Sequence, residues 1–561
     1  MNMRKAIYTL LLLPLMALTG CVNDGLEPCP SDTPTGYLEL TVTTGGTTAS
    51  RANPTGGEEG DGYEHGRGKE NNIYDLSIFI YVDRGEGLDG DYPIIWRKYI
   101  DEATVNANRP SNAIDRIYNV RIPLEKGDFA DLRLDKGTLR AVVVANTGNQ
   151  LDNIQKNSGL REICDNLNYG SAWTVSNNAF PAAADRFVMS SAFNGAKERN
   201  NDGLIRVSNT ETDGTIYSSE VTLERVAARI DLQVTTDNIL SGKEGLHYKI
   251  VDCNNSLTLL NAIPVNLMQN SSYLVKRVTE GTDRDKWLVA GNENMDNRGE
   301  PTNYVLTPDF GKKPNDNNVD PGELLDQWYG VSRAEQLRSN DKLDALSAID
   351  ATLLNTAFQF EGASATQRAI VLNYANENTH PLDAQVTNRP EAGMTHVSKA
   401  SDYLTGLLFR AQYHPAEIRR LENGVLVTKT DYADGSDFWL LRIVGANGTN
   451  AVEEKFNLYF DSQVALNKYI TDNLSSIGRY ETVPYPGGIC YYNIWIKHAN
   501  IDGSDENFPM KYGIVRNNIY RISLNFNGIG QPKPEITEPY NITSRIYVIK
   551  WNFRPQPEII M

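Results

Sequence analysis

Residues 544–561 read SRIYVIKWNFRPQPEIIM, with Tyr547, Ile549, Trp551 and Phe553 on alternate positions. That is the period of a strand with one face in a core. The opposite face passes from Ile546 and Val548 to Lys550, Asn552 and Arg554, so the expected strand is half-buried with a softer outer side. No further run follows with which it could close a hairpin, so it needs a long-range partner. The reading is of a β protein.

Upstream, "GGICYYNIWIKH" (487–498) and "KYGIVRNNIYRISLNFNGIG" (511–530) are strand-like. "QPKPEITEP" (531–539) carries Pro532, Pro534 and Pro539 and reads as an extended tether that holds the closing strand away from its own domain. Further strand runs begin at Ile73, Arg116, Leu139 and Glu220, separated by turn residues. Helices are expected in "DKLDALSAIDATLLN" (341–355) and "DSQVALNKYITDNL" (461–474), with Asp or Ser as N-cap. The mixture predicts β-sandwich-type domains with a few inserted helices, and a boundary between residues 230 and 240. No tandem repeat is visible.

At the other end, "MNMRKAIYTLLLLPLMALTGC" has Arg4 and Lys5, an apolar run from Ala6 to Leu18, and small residues before Cys21. This is an export signal whose apolar run is short for a membrane span. The residues before Cys21 resemble a bacterial lipobox, in which the cysteine is lipidated; a plain signal peptide with a chance cysteine is the alternative. After it comes "GYLELTVTT" (36–44), where Leu38, Leu40 and Val42 alternate with Glu39 and Thr41 as in a good strand. A polar, glycine-rich stretch follows to Asn72, and in it Arg51 precedes Ala52 without a proline to block a protease.

The net charge of −17 over 561 residues argues against nucleic acid as a partner, because phosphate binding needs a Lys/Arg patch. Four cysteines besides Cys21 lie too far apart for a zinc pattern or a disulfide scaffold, and buried thiols are expected. No nucleophile elbow, phosphate loop or zinc-protease motif is present, so no catalytic residue, metal or cofactor is assigned. His247, His396, His414 and His498 have no ligand spacing. Asp316, Asn318 and Asp320 begin like a calcium loop, but Pro321 precedes Gly322 and Gln327 stands where the bidentate glutamate would fall. Tyr491, Tyr492 and Trp495 read as sheet core rather than as a sugar site.

Cutting after Arg51 would free the strand 37–44 and leave unpaired backbone beside an apolar groove, a template for another chain's strand. The lipobox, Arg51, "AVVVANT" (141–147), "LERVAARIDL" (223–232) and "GIVRNNIYRISLNFNGIG" (513–530) together resemble the Mfa1-type fimbrillins, major fimbrial subunits of Bacteroidales type V pili. The resemblance implies a mainly β protein, not an enzyme, with two β-sandwich-like (transthyretin-like) domains and a C-terminal donor strand. Its parts would be a lipoprotein signal (1–20), a propeptide with the first strand (21–51), an N-terminal domain (52–235), a C-terminal domain (236–540) and the donor segment (541–561). It implies lipid on Cys21, cleavage between Arg51 and Ala52 by an arginine-specific protease, displacement of Leu38, Leu40 and Val42, and donation of Tyr547, Ile549, Trp551 and Phe553. Implied partners are copies of the same chain, fimbrial anchor and tip subunits, and the outer membrane through the precursor's lipid, ahead of a place in a surface fimbrium. An anchor or a tip adhesin of the same family is the alternative role.

Overall fold

The computed structural model describes residues 36–44, 63–83, 92–107, 118–133, 137–160, 163, 173–175, 184–191, 193–194, 203–210, 214–267, 274–275, 277–278, 348–378, 404–443, 457–474, 480–498, 513–534 and 539–552. Alternating apolar runs become strands throughout, and the protein is mainly β. An eight-stranded sheet runs in the order Ile94–Ile100, Leu76–Asp83, Thr138–Ala145, Met189–Ser191, Gly214–Arg225, Gly36–Thr44, Tyr118–Pro123, with Arg206–Thr210 also on Gly214–Arg225. A second sheet runs Gln367–Asn376, Ala227–Thr235, Asn518–Phe526, Ile542–Asn552, Tyr63–His65. A third, from Leu246–Lys249 through Ser256–Val265 and Gly406–His414 to Ile489–Trp495, packs on the second.

The second sheet is buried on both faces. Ala227, Tyr374, Ile519, Ile549 and Trp551 join the core of the eight-stranded sheet, whereas Ala228, Ile230, Tyr520, Ile522 and Val548 join the core shared with the third sheet. Period-two alternation sends successive side chains into different cores. A fourth sheet of five strands carries the helix Gln463–Asn473, whose N-cap Ser462 accepts the Ala465 N–H, as expected.

Several expectations change. The run from Glu220 is two strands broken at Val226, and Ala227–Thr235 pairs in the second sheet. The crossing therefore falls near residue 226, because Ala227–Thr235 gains a partner on each side there. The expected helix over 341–355 is the single turn Ala351–Leu354, capped by Asp350; residues 341–347 lie outside the described residues. The proline stretch does not hold the closing strand away: Asn527 N–H donates to Asn541 O at 2.9 Å, and Gln531 exchanges two backbone hydrogen bonds with Tyr491. The chain turns back, and Ile542–Asn552 pairs antiparallel with Asn518–Phe526 over nine residue pairs.

Candidate functional site

The first strand lies inside a sheet rather than at its edge. It runs parallel to Gly214–Arg225 over nine residue pairs and antiparallel to Tyr118–Pro123 over six. Leu38, Leu40 and Val42 are buried in the core, and the outer face is Tyr37, Glu39 and Thr41. Thr41 Oγ1 meets Asn119 Oδ1 at 3.1 Å, and Arg121 lies over the Tyr37 ring and 3.4 Å from Glu39. Gly36 is needed for space: a Cβ there would come 2.2 Å from the Thr215 carbonyl oxygen and 2.7 Å from the Phe129 ring. Each buried aliphatic contributes roughly 1.5–3 kcal/mol, so the strand is held chiefly by apolar burial and its two ladders. Removing it would bare both flanking strands at once.

The closing strand sits differently. Trp551 is fully buried, its ring 5.8 Å from that of Tyr374 in a stacked pair and 5.5 Å edge-on from Phe187. Its Nε1 donates to Glu70 Oε2 at 3.2 Å, and its carbonyl accepts from Arg225 Nη1 at 2.9 Å. Around it lies a buried ionic cluster. Arg229 donates to both oxygens of Asp231 at 2.9 Å and to Glu70 Oε2 at 3.0 Å, and pairs with Glu64. Arg521 pairs with Glu64 and with Asp231 Oδ2 at 3.0 Å. Burial disfavours the Arg229 charge, yet Asp231, Glu70 and Glu64 outweigh it and hold the guanidinium well above its ordinary pKa. Breaking such a pair from one side costs about 3–5 kcal/mol, because the other charge stays buried.

Of the residues named from the sequence, Leu38, Leu40 and Val42 share the bed described above, while Tyr547, Ile549 and Trp551 face the same core from the second sheet. Val548, expected on the soft side, is buried in the other core. Cys21, Arg51, Ala52 and Phe553, like the loop of Asp316, lie outside the described residues. Cys490 is buried and Cys253 half-buried. Tyr492 and Trp495 are core residues. His498 is buried with Nδ1 2.8 Å from the Tyr520 hydroxyl, and His247 and His414 both contact Thr258 Oγ1. Among the described residues, no three His, Cys, Asp or Glu side chains are placed to hold a metal. Sequence reading missed the ionic cluster. Its signal was there in "ARIDL" and "YRISL", where Arg229, Asp231 and Arg521 alternate with apolar residues on strands too apolar to be exposed.

Residues 484–555 match the family described as major fimbrial subunit protein type IV, fimbrillin, C-terminal. No curated protein sequence matches the chain significantly. Among solved structures, a cell-adhesion candidate from Bacteroides eggerthii is 12% identical, with a TM-score of 0.37 over 94% of this chain and 100% of that one. A fimbrilin from Porphyromonas gingivalis W83 is 12% identical, with a TM-score of 0.34 over 93% of this chain and 99% of that one. The tip fimbrial protein Mfa3 from Porphyromonas gingivalis is 11% identical, with a TM-score of 0.30 over 92% of this chain and 99% of that one. The matched family is one of structural fimbrial proteins and not of enzymes.

Proposed function

We propose that this chain, whose residues 484–555 match the fimbrillin C-terminal family, is a shaft subunit of a surface fimbria that polymerises by strand exchange at the bed of its first strand. The observation that carries the reading is the placement of Gly36–Thr44 between two strands that both need it. Cleavage after Arg51 cuts the covalent link between that strand and Tyr63, and a strand from a neighbouring copy then takes the bed. Lipid on Cys21 carries the precursor to the outer membrane before the cut.

The donor is reassigned in part. Tyr547, Ile549 and Trp551 pair within their own chain, and extracting Trp551 would strip the ionic cluster of a hydrogen-bond donor and a ring. We therefore place the donor from Phe553 onward, with Tyr547 to Trp551 as its fixed root; Pro555 and Pro557 carry no N–H, so the other residues of the segment supply the ladder donors of the exchanged strand. The test is a truncation. A chain ending at Asn552 should fold, accept a donor and fail to extend a filament, whereas filaments built from it would remove the donor from this terminus.

N-terminal sequencing of surface filaments separates the roles. Subunits beginning at Ala52 fit a shaft; subunits that retain Leu38, Leu40 and Val42 fit an anchor and would sink the exchange mechanism. Metabolic labelling with a palmitate analogue tests Cys21, since labelling of Cys21→Ala at the normal level would refute lipid at that site.

A further inference from the structure

We propose that Tyr63–Asn71 is a latch that ends maturation proteolysis upstream of itself: an arginine-directed protease is refused Arg67, and the segment from Tyr63 onward stays fastened to the closing strand. The proposal rests on the reading that the precursor is cut upstream of Tyr63. Arg67 is solvent-exposed, so exposure alone does not protect it. Its main chain does. The Arg67 N–H donates to Glu70 Oε2 at 2.7 Å, its carbonyl accepts the Glu70 N–H at 2.9 Å, and Asn71 Nδ2 donates to the Gly66 carbonyl at 2.7 Å. The bond after Arg67 therefore enters the 3-10 turn Gly68–Asn71 instead of the extended backbone a protease cleft takes. The guanidinium is occupied as well, 3.4 Å over the Phe358 ring.

Unwinding this turn would also open the seam. Glu64 and Glu70, on either side of Arg67, are the carboxylates that Arg229 and Arg521 hold, and the Tyr374 hydroxyl donates to Glu70 Oε1 at 2.7 Å. Arg225 Nε donates to the Glu70 carbonyl at 2.9 Å, and Tyr63–His65 runs parallel to Lys550–Asn552. A cut at Arg67 would separate Glu64 from Glu70 in sequence and let Glu64 leave, so that Arg229 and Arg521 keep only two of their three carboxylates. Cutting requires the open form, and its population sets the rate when reclosing is fast.

The test digests the folded full chain with an arginine-specific endoprotease and compares the rate at Arg67 with that of the same chain in denaturing urea, each corrected on a small peptide substrate. Protection on the order of a hundredfold or more is expected. A native rate within about tenfold of the unfolded one overturns the latch. Glu70→Gln should raise the native rate at Arg67 at least about tenfold with Arg51 cleavage unchanged, and no change would also overturn it. Should that variant fail to fold, Phe358→Ala, which removes the ring beneath the Arg67 guanidinium and beside Arg229, is read the same way. Because the comparison is made at Arg67 alone, a chain uncut at Arg51 defeats the assembly reading while the latch is still decided by its own ratio.

Discussion

The first strand and the closing strand look alike in sequence, and each pairs over nine residues with one neighbour. They are held by different forces. The first strand puts Leu38, Leu40 and Val42 into a core and a half-exposed polar row outside, with no buried charge among the contacts described for it. The closing strand puts Trp551 among Arg225, Arg229 and Glu70 and buries Val548 on its other face. Apolar burial is non-directional, so another aliphatic strand can replace the first one. A buried ionic cluster accepts few substitutes, since every charge in it must find its partner again. The difference marks the first strand as the exchangeable one.

Trp551→Asp attacks that contrast hardest. Truncating a buried Trp costs ~3–5 kcal/mol, and a new carboxylate beside Glu70 adds repulsion in a dry site. Loss of the cooperative thermal transition is expected, and deletion from Arg545 onward should do the same. A variant that melts like the parent would return this strand to the donor role.

Leu40→Ala comes next, at about 2–5 kcal/mol in the uncut chain. After the cut and exchange the penalty should vanish, because the residue has left with its strand. Calorimetry on precursor and filament-derived subunits reads both; a penalty that persists after processing would mean the strand stays.

Acid should weaken the closing side. Burial lowers the His498 pKa from 6.5 to about 4, so the unfolded chain binds the proton more readily than the folded one. Stability contributed by the neutral ring is complete above pH 6.5 and falls as the pH drops toward 4, by about 3 kcal/mol in all. His498→Gln should flatten that part of the urea-denaturation profile between those pH values, and an unaltered slope would assign it to other groups. The smallest effect is at Glu39. Its pair with Arg121 is half-exposed, and Glu39→Gln should lower the unfolding free energy from urea denaturation by no more than ~1 kcal/mol, whereas a larger change would show that the outer face helps hold the first strand.

Much of this was readable from local pattern. Period-two alternation identified Leu38, Leu40 and Val42 as buried and marked some of the strands, among them Leu76–Asp83, Thr138–Ala145 and Asn518–Phe526, and Ser462 announced its helix, because side-chain periodicity and capping act over a few residues. Alternation names a face but not the partner that covers it. The tertiary structure alone decided that Ala227–Thr235 crosses into the second sheet, that Ile542–Asn552 returns to its own chain, and that Val548 meets a second core. The same holds for the make-up of the ionic cluster: Glu64 and Glu70, Arg229 and Asp231, and Arg521 come from three separate stretches of the chain, and only the fold shows which charge meets which. Apolar neighbours on the same strands mark Arg229, Asp231 and Arg521 as buried charges, but which partners offset their desolvation is set by long-range pairing, which the adjacent residues do not record.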